Sequence, residues 1–185
     1  MSTFKNREAT ALLVIDMQNG VVAEAYERDR VAGNIALLVA SARSAGTPVV
    51  WVQHSDAELE QGCTDWEIIA ELDPLDTEAL VAKHYGDAFE ATELEQVLST
   101  HGVGHLVVAG AESDACIRST IHGAFTRGYD VTLVGDAHTA GDRSAWGAPA
   151  PKAVIAHTNL YWQFQSAPNR TAEVKQTSDV VFGKP

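Results

Sequence analysis

The stretch His105-Leu-Val-Val-Ala-Gly-Ala-Glu-Ser-Asp-Ala-Cys116-Ile-Arg-Ser-Thr-Ile-His-Gly-Ala-Phe125 changes its hydrophobic pattern halfway along. Its first part, Leu106 to Ala109, is a continuous apolar run that predicts a buried strand. Apolar residues then recur at helical spacing, at Ile117, Ile121, Ala124 and Phe125. The pattern places Cys116 between the end of a strand and the start of a helix. Unpaired backbone N–H groups and the helix dipole favour a thiolate at such a position.

The rest of the chain alternates in the same way between strands and helices. Apolar runs predict further strands at 10–16, 48–54, 80–83 and 129–136, and a final edge strand at 178–182. Helical periodicity predicts helices at 31–45 and 150–164. Thr92 and Glu95 have the spacing of a capping box, which predicts a helix that ends near Gly102. This alternation is typical of an α/β fold, with one open parallel sheet covered by helices on both sides.

Functional side chains stand at the ends of the predicted strands. Asp16, His54 and Lys83 end the first three strands, and Cys116 follows the fourth. Ligands of open parallel sheets bind where the carboxyl ends of the strands meet the loops, so these residues are expected to be neighbours in space. Lys83 would stabilise a Cys116 thiolate, and Asp16 would accept the thiol proton. Backbone N–H groups in the turn 110–116 could form an oxyanion hole, and the set indicates a cysteine hydrolase.

Each of these residues also has a simpler interpretation. A cysteine that begins a buried helix is more often a small core residue, and an aspartate at a strand end is more often a turn residue. A lysine in the same place is more often solvated. The hydrolase hypothesis depends on three complementary groups that occur at three strand ends.

Composition limits the class of function further. The chain has 185 residues and a formal charge of −12, which disfavours partners that need clustered positive charge, namely nucleic acid and anionic membranes. We expect residues 1–185 to form one domain. The first residues lack an apolar signal core, so the expected location is cytoplasmic. The two cysteines lie far apart and match no zinc spacing, and Cys63 is expected to be an ordinary thiol.

Five motifs together resemble the isochorismatase-like cysteine hydrolase superfamily. They are Leu13-Val-Ile-Asp-Met-Gln-Asn19, Lys83-His-Tyr-Gly-Asp-Ala-Phe-Glu-Ala-Thr-Glu-Leu94, Gly110-Ala-Glu-Ser-Asp-Ala-Cys-Ile117, Val134-Gly-Asp-Ala137 and Ala156-His-Thr-Asn-Leu160. The resemblance implies a three-layer αβα fold with a six-stranded parallel sheet and an Asp16–Lys83–Cys116 triad. It also implies a cis peptide bond between Ala111 and Glu112, with oxyanion donors from the N–H groups of Glu112 and Cys116. Members are commonly homo-oligomers, so a dimer or tetramer is expected.

Departures from the best-known branches narrow the expected chemistry. Nicotinamidases carry an Asp-x-His…His metal set, whereas no histidine follows His54-Ser-Asp56 until His84, so no metal or cofactor is expected. Isochorismatases that cleave a vinyl ether typically lack the nucleophilic cysteine, so Cys116 favours cleavage of a C–N bond in a small amide, carbamoyl compound or lactam. Side chains predicted to contact that substrate are Gln18, His54, Trp66 and Tyr85. Two alternatives remain open: a vinyl-ether hydrolase that needs Asp16 but not Cys116, and a catalytically silent binding protein.

Overall fold

The computed structural model describes residues 2–183, and its secondary structure alternates between strands and helices. The strands are β1 (Ala9–Ile15), β2 (Val49–His54), β3 (Ala79–Lys83), β4 (Val103–Ala111), β5 (Asp130–Thr139), β6 (Ser166–Ala167) and β7 (Arg170–Lys175). The α-helices are α1 (Asn19–Val22), α2 (Arg28–Ser44), α3 (Leu94–Thr100), α4 (Arg118–Arg127) and α5 (Pro151–Gln163). Short 3-10 turns occupy Ser144–Trp146 and Thr177–Asp179, and a single π-turn occupies Ser113–Ile117.

The strands form one sheet in the order β3-β2-β1-β4-β5-β7-β6. Each pairing from β3 to β7 is parallel, and the two-residue β6 alone runs antiparallel, against β7. The predicted α/β fold with six parallel strands is therefore confirmed, with one short strand added at the edge. The chain leaves β1 toward β2 on one side and reaches β4 on the other. Ligands of such sheets bind at this reversal of direction, outside the carboxyl ends of the strands.

Two apolar layers hold helices against the two faces of the sheet. On one face, Leu98 of α3, Phe125 of α4 and Trp162 of α5 pack against the strands. On the other face, Leu38 of α2 and Phe182 near the carboxyl end pack against the strands. Because the central strands are buried on both faces, they read in the sequence as continuous apolar runs.

The predicted edge strand at 178–182 is wrong. Its first residues belong to the 3-10 turn, Val181 is exposed, and Phe182 packs into the core beside α2. The sixth parallel strand is instead Arg170–Lys175, where apolar and polar residues mix. None of its residues is fully buried, so the strand carries a weak apolar signal.

The capping box at Thr92 is also wrong. The Thr92 hydroxyl accepts a hydrogen bond from the Leu94 N–H at 3.2 Å and donates to the Ala88 carbonyl. The Glu95 carboxylate does not complete the box, because it accepts hydrogen bonds from Arg7 and from the Tyr129 hydroxyl. A tertiary contact has replaced the local one.

Within residues 2–183, no helix combines the length and the apolar character that crossing a membrane requires.

Candidate active site

Close pairing of β1 and β4 creates the floor of the candidate site. Ile15 pairs with Gly110 at the ends of these strands, and Gly110 has a φ of +126°. A side chain at Gly110 would begin 2.0 Å from the Ile15 carbonyl oxygen, so glycine is required there. Asp16, the next residue after β1, has a φ of +50°. This uncommon left-handed conformation turns its side chain out of the strand pattern and is typical of functional positions.

The structure brings Asp16, Lys83 and Cys116 into direct contact. Lys83 Nζ lies 2.7 Å from Asp16 Oδ2 and donates a hydrogen bond to Cys116 Sγ at 3.2 Å. The lysine side chain is fully buried and the aspartate side chain is 2 % exposed. A buried lysine stays charged only when acceptors compensate for its lost hydration, and a carboxylate and a sulfur do so here.

Burial acts on the two acidic members of this group in the same direction. It raises the pKa of the Asp16 carboxyl, and the Lys83 charge opposes that shift. It raises the pKa of the Cys116 thiol to about 12, with a further contribution from the Asp16 charge and an opposing one from Lys83. The prediction of a thiolate stabilised by a helix dipole is therefore wrong for the free protein. Cys116 lies inside the π-turn, ahead of α4, and its burial beside a carboxylate outweighs the nearby lysine.

Replacing Asp16 with asparagine should make Cys116 more reactive while it removes turnover. Without the carboxylate charge the pKa of the thiol falls, so alkylation by iodoacetamide at pH 8.5 should become about ten-fold faster for each unit of pKa. Alkylation rates of Cys116 in both proteins, measured by mass spectrometry from pH 7 to 10, test this. The exposed Cys63 supplies the internal reference. An unchanged pH profile would contradict the assigned influence of Asp16.

The turn that carries Cys116 is anchored at its first residue. The peptide bond between Ala111 and Glu112 is cis in the structure, as the resemblance implies. The Glu112 side chain accepts a hydrogen bond from the Gly141 N–H at 2.8 Å and forms an ion pair with Arg143. These contacts fix the turn to the loop that follows β5. Arg143 was not predicted from the sequence, because no local pattern links position 143 to position 112.

A second anchor of the turn was also missed. The Ser113 hydroxyl lies 2.7 Å from His138 Nδ1, and His138 Nε2 lies 2.9 Å from Asn159 Oδ1. Asn159 in turn donates to the Gly135 carbonyl. Ser113 and His138 are buried, and their polar contacts connect the Cys116 turn to β5 through His138 and to α5 through Asn159. The sequence signal for it is the familial His-Thr-Asn segment near position 159, which carried no assigned role.

The side chains predicted to contact substrate occupy very different positions. Gln18 is fully buried, and its amide bonds to the backbone of His54 and Trp66. The Trp66 carbonyl also accepts a hydrogen bond from the Gln53 amide, which anchors the loop 55–79. Tyr85 is 58 % exposed. His54 lies beside Lys83, with its Nδ1 atom 3.3 Å from Nζ. Of the four, His54 alone contacts the Asp16–Lys83–Cys116 group through a side-chain bond among residues 2–183.

Among residues 2–183, no group of three His, Cys, Asp or Glu side chains is arranged to hold a metal ion. His54 Nε2 lies 3.0 Å from Asp56 Oδ2, an arrangement of ring and carboxylate that leaves both groups engaged with each other.

An open parallel sheet covered by helices, with charged side chains and a cysteine gathered at its carboxyl edge, is an architecture typical of α/β enzymes. The isochorismatase domain family matches residues 10–150 of the sequence. The chain therefore belongs to the isochorismatase family, which confirms the resemblance drawn from the motifs.

Three relatives show the range of the family. Streptothricin hydrolase from Streptomyces noursei is 36% identical over 74% of this chain, and the match spans 56% of that protein. Ureidoacrylate amidohydrolase RutB from Cronobacter sakazakii is 27% identical over 72% of this chain and 76% of its own length. The crystal structure of N-carbamoylsarcosine amidase from Thermoplasma acidophilum superimposes with a TM-score of 0.75 and 25% identity, over 93% of this chain and 98% of that one.

Proposed function

We propose that this protein hydrolyses a C–N bond of a small amide-type molecule through a thioester on Cys116. The observation that carries the proposal is the buried Lys83, whose ammonium contacts both Asp16 and Cys116. This contact supports the proposed roles of Cys116 as nucleophile, Asp16 as base and Lys83 as fixed cation, because the three side chains lie in one hydrogen-bonded group. The residues 1–185 would act as one domain, and the cytoplasmic location and the homo-oligomer stay predictions.

The raised pKa values define the first step. Because the pKa of Cys116 is about 12, the resting protein holds a thiol, which must lose its proton as it attacks. Asp16 is the base, since burial makes its carboxylate more basic than usual. Its Oδ1 atom is buried and has no hydrogen-bond partner among residues 2–183, which leaves it available as the acceptor.

Attack of the sulfur on the amide carbonyl produces a tetrahedral oxyanion. The N–H groups of Glu112 and Cys116 are the proposed donors to it, and each such donor contributes about 3 kcal/mol to catalysis in other hydrolases. Collapse breaks the C–N bond, and Asp16 returns its proton to the departing nitrogen. Water, deprotonated by Asp16, then attacks the thioester. The C–S bond breaks, Asp16 returns the proton to the sulfur, and the acid is released from the free thiol. Throughout, Lys83 keeps its charge and compensates the negative charge on sulfur and carboxylate.

The names of the relatives support a substrate class. The names streptothricin hydrolase, ureidoacrylate amidohydrolase and N-carbamoylsarcosine amidase give streptothricin, ureidoacrylate and N-carbamoylsarcosine as the substrates of those proteins. Each of these contains a carbonyl bonded to nitrogen. A carbonyl of this kind is the electrophile that the arrangement around Cys116 requires.

A panel of amides, N-carbamoyl amino acids, ureido acids and lactams tests the proposal, with release of ammonia or amine as the measurement. We expect turnover of at least one class by the wild-type protein and none by the Cys116→Ala variant. Turnover of a vinyl ether that survives Cys116→Ala would favour the isochorismatase-type reaction instead. Binding without turnover across the panel would favour a silent member of the fold.

Removal of metal should leave the activity intact. None of the proposed steps uses a metal, and His54-Ser-Asp56 lacks the following histidine of the nicotinamidase metal set. Turnover after exhaustive treatment with EDTA and 1,10-phenanthroline should equal that of untreated protein within about two-fold. Loss of activity together with release of a stoichiometric metal, measured by mass spectrometry of the dialysate, would contradict this expectation.

A further inference from the structure

Lys83 has a third contact that the proposed reaction does not use. Its Nζ atom lies 2.7 Å from Asp16 Oδ2, 3.2 Å from Cys116 Sγ and 3.3 Å from His54 Nδ1. An ammonium carries three N–H groups and accepts no hydrogen bond. Each N–H group therefore has its own acceptor, and the ammonium orientation is set by all three together.

This contact specifies the protonation state of the His54 ring. Nδ1 can accept from Lys83 only if it carries no proton, so the proton of a neutral ring must be on Nε2. Nε2 faces Asp56 Oδ2 at 3.0 Å, and an N–H donated to a carboxylate stabilises this tautomer. The Asp56 carboxylate is itself fixed, because its Oδ1 atom accepts the N–H groups of Glu58 and Leu59 at 2.8 Å each.

The backbone of His54 is held from the other side by Gln18. The Gln18 amide nitrogen donates to the His54 carbonyl at 2.9 Å, and its oxygen accepts the His54 N–H at 2.8 Å. Gln18 is fully buried, so this two-point clamp is shielded from water. The His54 side chain is only 21% exposed, although Asp56 is half exposed. A held backbone and a held ring are features of a positioning residue rather than of a mobile substrate contact.

We propose that His54, as the neutral Nε2–H tautomer set by Asp56, is a positioning residue that holds the Lys83 ammonium against Asp16 and Cys116. The proposal rests on the proposed function, because it assigns His54 to the same site. It replaces the predicted role of His54 in substrate binding. It also gives Gln18 and Asp56 supporting roles: Gln18 fixes the backbone of His54, and Asp56 fixes its ring.

The groups around the ring restrict its protonation state further. Lys83 on β3, Asp16 after β1 and Asp56 after β2 face the His54 ring, and His84 bonds to the adjacent Ser55. Protonation of the ring puts an N–H group where Lys83 needs an acceptor and places two cations 3.3 Å apart. A ring protonated on both nitrogens is therefore incompatible with this arrangement of the site.

Two substitutions separate this role from simple packing. His54→Asn keeps an oxygen near the position of Nδ1 but does not titrate, whereas His54→Leu removes the acceptor. In the leucine variant the free N–H of Lys83 competes for Asp16 and draws the ammonium away from sulfur. Alkylation of Cys116 at pH 9 should then slow about ten-fold, as for a rise of one unit in the thiol pKa, while the asparagine variant stays within about two-fold of wild type. His84→Leu, at a neighbouring exposed histidine, is the matched control and should match wild type.

NMR of protein with ¹⁵N-labelled histidine provides a direct measurement that needs no substrate. The ring of His54 should show an unprotonated Nδ1 and a protonated Nε2 at pH 7, and Asp56→Ala should reduce the population of this tautomer. An Nδ1–H tautomer, wild-type alkylation in His54→Leu, or equal loss in both variants would overturn the proposal. If no compound of the amide panel were turned over, the proposed function would be rejected. The alkylation rates and the His54 tautomer would still test the positioning role.

Discussion

Cys116→Ala and Cys116→Ser should each lower kcat by about 10⁴-fold or more, because the proposed reaction passes through a bond to the sulfur. A serine hydroxyl is far less acidic than a thiol, so the neighbouring Asp16–Lys83 pair should not deprotonate it efficiently. Both substitutions conserve volume closely at a half-buried position, so folding should be unaffected. Steady-state kinetics and thermal unfolding of the same preparations test the two parts of this prediction.

The second cysteine provides the matched control. Cys63 is exposed, and Cys63→Ala should keep full activity and leave Cys116 as the single thiol of the chain. Trapping of a thioester by mass spectrometry should then find the acyl group on Cys116. Substantial turnover by Cys116→Ala would transfer the chemistry to a general-acid mechanism led by Asp16.

Lys83→Met should abolish turnover and also destabilise the fold, by about 3–5 kcal/mol for a buried pair that loses one partner. Both charges are buried, so the isolated Asp16 carboxylate would have neither water nor cation to stabilise it. The free energy of unfolding, measured by urea denaturation at pH 7, gives the size of the effect. Lys83→Arg should rescue little of the activity, since a planar guanidinium cannot replace a compact ammonium with three acceptors around it.

The double variant Asp16→Asn with Lys83→Met separates the two effects. It removes both charges, so most of the lost stability should return while turnover remains absent. A double variant that is as unstable as Lys83→Met alone would show that packing of the lysine chain, not its charge, explains the loss. A fully active Lys83→Met protein would remove the cation from the proposed mechanism.

Local sequence patterns determined most of the fold of this protein. Five of the six parallel strands were predicted close to their observed positions. Four of them are buried along most of their length and must therefore be apolar, and the edge strand β3 also carries a short apolar run. The long helices were predicted for a similar reason, since one face of each packs on the sheet. The sixth strand, Arg170–Lys175, was missed because none of its residues is fully buried, so it needs no such run. The capping box failed because Glu95 found a better partner in Arg7.

The candidate site was likewise predicted only in part from local sequence patterns. The sequence alone identified Asp16, Lys83 and Cys116, since parallel strands put their carboxyl ends at one edge and each residue ends or follows a strand. The tertiary structure decided what those residues are in the resting protein: a thiol with a raised pKa, a buried ion pair, and a lysine shared among three acceptors. It also supplied the supports at Gln18, His138 and Arg143. Periodicity reports which residues are buried, whereas pKa values and hydrogen bonds depend on distances between side chains that are far apart in the chain.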